Sequence, residues 1–301
     1  MVNIKKVINI SKKYIKSIFK SSPFFMHIAP TRRCNLGCDY CYQYDNASNE
    51  MSFDSFKEII DNNYKLGLGI VAFTGGEPFM RKDIFDLIDY VCRVKGRELI
   101  ILTNGTLLKE TVLENLKNQD KGLLKIQISL DGSTPEINDF VRGAGSFVKI
   151  VKGIKNVVKI GFAPTVTTAV TNHNINNVTE ITKLLAGMGV KTHHLLWVHK
   201  RGRISNNGAD FFVPIDKLAT AVKNAKSAGD EIGVTIDNLD SYRFRANSNK
   251  GTRYDLGNAC YDSLCVYSNG DVYPSAAFAG YEKLKCGNIS ENSLEEIWKN
   301  S

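Results

Sequence analysis

A chain of 301 residues with 43% hydrophobic and 23% charged side chains can bury a sizeable core, as one large domain or as one large and one small. No apolar run approaches the roughly 20 residues of a membrane span, and lysines interrupt the N-terminal apolar residues too often for a secretory signal. The formal net charge of +8 resides in residues 1–33, which hold eight lysines and arginines and no acid, so the rest of the chain is neutral and lacks the basic folded face of a nucleic-acid binder.

Residues 1–22 read as a basic amphipathic helix. Ile4, Ile8, Ser11, Ile15 and Ile18 share one face and the lysines cluster elsewhere. Such a helix packs on the body with a solvated lysine face, or docks an acidic peptide partner or an anionic membrane surface. From Pro23 to about Val198 short apolar runs alternate with helical patterns. The predicted strands are 24–29, 69–74, 98–103, 124–130, 162–168 and 193–198, and the predicted helices 52–66, 82–95, 107–118, 147–158, 174–188 and 214–228, the first capped by Ser52. Six βα repeats imply parallel strands with helices outside. Periodicity alone does not separate a doubly wound sheet from a barrel. The polar motifs all follow strand C-termini, however, which favours a complete or partial barrel over residues 23–230.

The remainder, 231–301, reads as a linker and a small extension. Residues 238–259 are polar and aperiodic. LCVYSNGDVYP is a hairpin turning at Asn269-Gly270, and NSLEEIWKN is a short helix with Ser293 and Glu296 as a capping box.

Seven cysteines, an odd number in a long chain without a secretory signal, point to reduced thiols in a cytoplasmic compartment rather than to a disulfide framework. Cys34, Cys38 and Cys41 lie within eight residues of one loop, TRRCNLGCDYCYQ. A structural zinc site is usually closed by four ligands. Three thiolates holding a four-iron cubane leave one iron without a protein ligand, open for a substrate or cofactor to chelate. Cys92, in the apolar pattern LIDYVC, reads as a buried small hydrophobe. His193 and His194 lie on a predicted strand and point to opposite faces, so one of them can line a barrel.

The spacing Cys34-x3-Cys38-x-Tyr40-Cys41 resembles the signature of the radical S-adenosylmethionine (radical SAM) superfamily, including the aromatic residue before the third cysteine. Further segments extend the likeness over roughly residues 23–300. Thr74-Gly75-Gly76-Glu77-Pro78 follows the second strand, Thr103-Asn104-Gly105-Thr106 the third, and Ser129-Leu130-Asp131-Gly132 the fourth. Arg142-Gly143 and Gly202-Arg203 also fall where the peptide-modifying branch commonly has them. The resemblance implies a [4Fe-4S] cluster on Cys34, Cys38 and Cys41 and a methionine amino group held by Gly75, Gly76, Glu77 and Pro78. Tyr40 would lie against the cluster or the adenine. Asn104, Ser129 and Asp131 offer hydrogen-bonding groups suited to ribose hydroxyls, with turn and cap chemistry as the alternative. Arg142 would meet the methionine carboxylate or pair with Asp139.

A second group, Cys260, Cys265 and Cys286, brackets the hairpin. The pattern CxxxxCVYSNGDVYP…GNI…SLEEIW resembles the SPASM or twitch extension of radical enzymes that modify peptides, which binds auxiliary iron–sulfur clusters. Ser275 stands where many members have a cysteine after the hairpin's YP. Either an auxiliary [4Fe-4S] cluster has three protein ligands here, or the fourth ligand lies downstream of this sequence; a zinc site is the structural alternative.

The fold the resemblance implies is a partial (β/α)6 TIM-like barrel with a small C-terminal auxiliary-cluster extension. The implied activity is reductive cleavage of S-adenosylmethionine to a 5′-deoxyadenosyl radical, which abstracts hydrogen from a ribosomally made peptide to form a thioether or other crosslink. A small-molecule or porphyrin-type precursor is the alternative substrate, and a non-catalytic zinc-binding module a remote one. The implied partners are a precursor peptide and an external one-electron donor of flavodoxin or ferredoxin type.

Overall fold

A computed structural model describes residue 15 and residues 23–42, 46–47, 49–66, 68–198, 202–204, 211–239 and 263–300. The expected basic helix, most of the polar linker and Cys260 lie outside the described residues, apart from Ile15, which is helical.

The elements run in order: β1 (Phe25–Thr31), α1 (Phe53–Leu66), β2 (Ile70–Gly75), α2 (Ile84–Asp89), β3 (Glu98–Thr103), α3 (Glu110–Lys117), β4 (Leu124–Ser129), α4 (Pro135–Arg142), α5 (Ser146–Lys159), β5 (Thr165–Val170), α6 (Val178–Gly187), β6 (Thr192–Trp197), α7 (Ile215–Ile232) and β7 (Thr235–Ile236). The C-terminal part adds β8 (Ser263–Val266), β9 (Asp271–Tyr273), β10 (Gly287–Asn288) and α8 (Leu294–Asn300). The strands and helices predicted between residues 24 and 300 are all present, with shifts at their ends. The fifth strand starts at Thr165 rather than 162, directly after Pro164, which has no N–H to give a ladder. Helix α2 gives way to a π-helical turn over Tyr90–Val94, where Cys92 is fully buried and its thiol is pushed up to about 12 by burial. Helix α4 was not expected, although Thr134 before Pro135 is an ordinary helix start.

The strands form one sheet ordered β10-β9-β8-β1-β2-β3-β4-β5-β6-β7. Strands β1 to β7 are parallel and follow chain order without a reversal. A doubly wound sheet reverses at a switch point; a sheet that never reverses keeps its crossover helices on one face and curls around the other. The result is a partial barrel. Its alternation is plain in β4, where Leu124, Ile126 and Ile128 are buried in the main core and Lys125, Gln127 and Ser129 are half-buried on the inner face. Each such core side chain contributes about 1.5–3 kcal/mol through burial.

The barrel is open because β8 takes the outer edge of β1, with His27 beside Cys265 and Ile28 beside Val266. The predicted hairpin is therefore a continuation of the barrel sheet rather than a detached unit. Its turn is as expected: Gly270 has φ +89° and its N–H donates to the Tyr267 carbonyl at 2.9 Å. The Ser52 cap and the Ser293–Glu296 capping box also form. Ser55 N–H donates to Ser52 Oγ at 3.1 Å, and Ser293 and Glu296 cap each other reciprocally.

Candidate functional site

Every motif of the first four strands meets at their C-terminal ends. Residues 31–33, which lead into the cysteine loop, run beside the TGGEP turn. Gly76 N–H donates to Thr31 O at 2.9 Å and Glu77 N–H to Arg33 O at 2.8 Å. The approach is too close for side chains. A Cβ on Gly75, whose φ is +99°, would sit 2.5 Å from Thr31 O, and one on Gly76 would sit 2.1 Å from Arg33 O. The two glycines are thus required by the seating of the cysteine loop itself.

Glu77 is 1% exposed. Its Oε1 accepts from Thr103 Oγ1 at 2.7 Å and from Phe79 N–H at 3.3 Å, and its Oε2 accepts from Asn104 N–H at 2.7 Å. It caps the turn at Pro78 and ties the end of β2 to the end of β3. Burial nevertheless raises its carboxyl to about 7, against the pull of those three donors. Asn104 reaches the cysteine loop: its amide donates to Asn35 Oδ1 at 3.0 Å and toward Cys34 Sγ at 3.7 Å, while Asn35 donates to Thr106 Oγ1 at 2.8 Å.

Tyr40, Asp131 and Arg142 find one another. Tyr40 OH donates to Asp131 Oδ2 at 2.6 Å and accepts from Arg142 Nη2 at 2.5 Å, and Arg142 Nε lies 2.7 Å from Asp131 Oδ2. Asp131 is fully buried, and its other oxygen accepts Ala169 N–H at 2.9 Å. Arg142 pairs with Asp131 rather than Asp139, whose carboxylate is taken by Gly145 N–H, Ser146 and Phe147 N–H. Ser129 stays on the inner face of β4, level with Thr167. The far side of the loop is held by Gly202, at φ +63°, where a Cβ would meet Tyr42 Cα at 2.3 Å. Arg203 N–H donates to Cys41 O at 3.1 Å and its side chain to Gly37 O.

Cys34, Cys38 and Cys41 are half-buried on this pinned loop. Burial raises the Cys34 and Cys38 thiols, and the positive charge of Arg142 opposes that rise at both. Leu36 N–H also donates to Cys34 Sγ at 3.5 Å. Among the described residues no three His, Cys, Asp or Glu side chains converge as one metal ion would require. A donor set of three thiols on one loop, with N–H groups aimed at sulfur, fits a multi-iron group held by thiolates.

The C-terminal cysteines are placed differently. Cys265 is fully buried with Ala29, Tyr267 and Tyr273, and burial pushes its thiol up to about 12. Cys286 is half-buried against the main core, its backbone N–H on Val272 O at 2.8 Å. Sequence reading missed Tyr42, which interacts with both Cys41 and Cys265: burial raises its phenol well above the usual range, the two thiols act in the same direction, and it hydrogen-bonds Thr74. An aromatic residue right after the third cysteine was the available signal.

Comparison with known proteins fits this geometry. The family model described as the radical SAM superfamily matches residues 28–195. The chain belongs to that superfamily. A second model, SPASM, described as an iron-sulfur cluster-binding domain, matches residues 258–301. Radical SAM membership brings a [4Fe-4S] cluster and S-adenosylmethionine as cofactors, and the SPASM region an auxiliary iron–sulfur cluster.

Among its relatives is the AdoMet-dependent heme synthase of Oleidesulfovibrio alaskensis, 28% identical over 90% of this chain and 73% of its own length. The mycofactocin maturase MftC of Mycolicibacterium smegmatis is 30% identical over 90% and 69%. The antilisterial bacteriocin subtilosin biosynthesis protein AlbA of Bacillus subtilis is 30% identical over 89% and 58%. In fold the chain is similar to Streptococcus suis SuiB bound to S-adenosylmethionine, with a TM-score of 0.78 and 18% identity over 100% of this chain and 72% of that one. No helix among the described residues is long and apolar enough to cross a membrane.

Proposed function

We propose that this radical SAM enzyme is a peptide maturase, abstracting hydrogen from a ribosomally made peptide to close a thioether or other crosslink. The observation that carries the reading is the combination in one sheet of a three-thiol loop at the barrel mouth and a SPASM-matched segment docked on β1. Relatives named as a maturase and as a bacteriocin biosynthesis protein support it, as does the fold likeness to SuiB, which has been crystallised with its precursor peptide SuiA. A heme or other small-molecule precursor is the second reading, favoured by the heme synthase relatives.

Cys34, Cys38 and Cys41 would hold the [4Fe-4S] cluster, and Cys260, Cys265 and Cys286 the auxiliary one. When bound, the cluster and S-adenosylmethionine supply hydrogen abstraction from an unactivated carbon, chemistry no side chain can perform. The chain's own part is to seat the thiols. The N–H groups of Leu36 and Asn104 and the charge of Arg142 favour the thiolates over the thiols. The Gly75-Gly76 and Gly202-Arg203 contacts fix the loop from both sides, and Glu77, Asn104 and the Tyr40–Asp131–Arg142 group fix the strand ends around it. Ser129 remains a candidate contact for the nucleoside. A precursor peptide and a flavodoxin- or ferredoxin-type donor are the partners this requires, in a cytoplasm that keeps thiols reduced.

Anaerobic iron and sulfide analysis of the reconstituted chain tests the assignment. About eight irons in the parent and about four in a Cys34/Cys38/Cys41 triple-alanine variant are expected. About four and none would remove the auxiliary cluster, and a colourless zinc protein would overturn both. Mass spectrometry of peptides encoded beside this chain, after incubation with S-adenosylmethionine and reductant, should show the loss of two hydrogens per crosslink.

A further inference from the structure

The inner wall of the barrel carries a polar row. Strands β4, β5 and β6 pair so that Ser129, Thr167 and His194 stand side by side. His193 pairs with Ile236, so Asp237 continues the row opposite His194. These residues face inward because their strand neighbours face out. Ile128 lies in the helix-covered core, and His193 is fully buried with its ring nitrogens on Thr168 Oγ1 at 2.8 Å and, from α6, Thr182 Oγ1 at 2.9 Å.

His194 has a different environment. Its Nδ1 lies 2.6 Å from Asp237 Oδ1, and the two side chains are 24% and 37% exposed. Asn238 locks the position, accepting Leu195 N–H at 3.3 Å and donating to the Leu195 carbonyl. A carboxylate on Nδ1 holds the proton there and leaves the lone pair on Nε2. Among the described residues Nε2 has no hydrogen-bond partner. The next inward pair toward the barrel mouth is Ala169 and Leu196, so the two side chains directly above the imidazole on β5 and β6 are apolar.

We propose that His194, oriented by Asp237, is the general base that accepts the proton released when the peptide's new bond forms. The inference rests on the peptide-maturase reading. In a crosslinking reaction a substrate C–H gives up a hydrogen atom to the bound cofactor. Joining that carbon to an X–H group of the same peptide, where X is sulfur, nitrogen or oxygen, makes C–X and releases one electron and one proton. The electron goes to a one-electron oxidant of the iron–sulfur class, and the proton from X goes to His194 Nε2. A base within the barrel breaks X–H in step with C–X formation, a contribution of typically 10²–10⁴-fold.

Two measurements test this. In the cofactor-free chain labelled with 15N-histidine, NMR should show the neutral form of His194 carrying its proton on Nδ1, the signal being identified by its loss in H194Q and becoming a tautomer mixture in D237N. In the reconstituted enzyme with synthetic peptides encoded beside this chain, crosslinks formed per S-adenosylmethionine cleaved should fall about 100-fold in H194Q. They should fall about tenfold in D237N, which keeps the imidazole. Matching iron content shows that each variant folds, and D237N carries the test if H194Q does not. A proton on Nε2, or an unchanged crosslink ratio in both variants, overturns the base. Peptides left unmodified by the parent while S-adenosylmethionine is cleaved overturn the maturase reading itself, whatever the tautomer.

Discussion

Replacing Gly76 by alanine asks whether the TGGEP glycines serve the cysteine loop. The new Cβ would lie 2.1 Å from Arg33 O, 2.6 Å from Arg33 C and 2.7 Å from Arg32 C, all backbone atoms that cannot swing aside. Non-bonded contacts settle near 3.5 Å, so the two segments must part by about 1.4 Å. Overpacking of this kind costs about 1–3 kcal/mol. The separation also carries the Gly76 N–H to Thr31 O and Glu77 N–H to Arg33 O bonds, at 2.9 and 2.8 Å, out of range, for about 1 kcal/mol each. A total of about 3–5 kcal/mol is a large part of a domain's stability. Urea unfolding of the chain before reconstitution should show a much lower midpoint for G76A, and iron uptake should drop because Cys34 follows Arg33 directly. G96A is the control: Gly96 has φ +59° with nothing near its absent Cβ, so it should cost only the left-handed strain of about 1–2 kcal/mol. A G76A chain that unfolds with the parent and takes up full iron would refute the reasoning.

Two further outcomes are expected. Y40F removes a hydroxyl that serves both Asp131 and Arg142 and leaves a buried ion pair short of one partner, so it should cost about 1–3 kcal/mol in urea; an unchanged midpoint would take the hydroxyl out of the account. Burial lowers His193 to about 3, so below its ordinary 6.5 the unfolded chain takes a proton that the folded chain refuses. Its contribution to stability is complete above pH 6.5 and falls by about 1.4 kcal/mol per pH unit toward pH 3. Unfolding measured between pH 7 and 5 should therefore be flatter in H193Q than in the parent. His27, lowered to about 4, titrates over the same range in both chains, so the difference isolates His193, and equal slopes would contradict its buried neutral state.

The strands and helices were legible because each reports a local period, and Val71, Phe73, Leu99 and Ile101 repeat at two as a helix-covered strand must. The choice between barrel and doubly wound sheet was not local. It depends on which strands are neighbours, and it was decided by the unbroken order from β1 to β7. The cysteine loop could be read from spacing alone, whereas the partners of its companions could not. Arg142 and Asp131 are eleven positions apart across a turn, and nothing in their spacing ranks Asp131 above Asp139 as the counter-ion. Only the packing of α4 against the strand end does. Likewise the three donors that Glu77 receives from Phe79, Thr103 and Asn104 could not be read from its place after Gly75-Gly76.

The pairing of β8 with β1 also sets a timetable for synthesis. One edge of β1 is satisfied by β2 soon after it emerges, but the other waits for a strand some 240 positions later. At ribosomal speeds of about 5–20 residues per second that edge stays bare for roughly 10–50 s. An unpaired row of N–H and C=O groups beside the apolar Met26 and Ile28 is a template for the wrong neighbour throughout that interval. Translation rate and growth temperature should therefore govern the yield of folded chain even when the finished protein is stable, because a strand made late, β8, covers the edge that β1 leaves open.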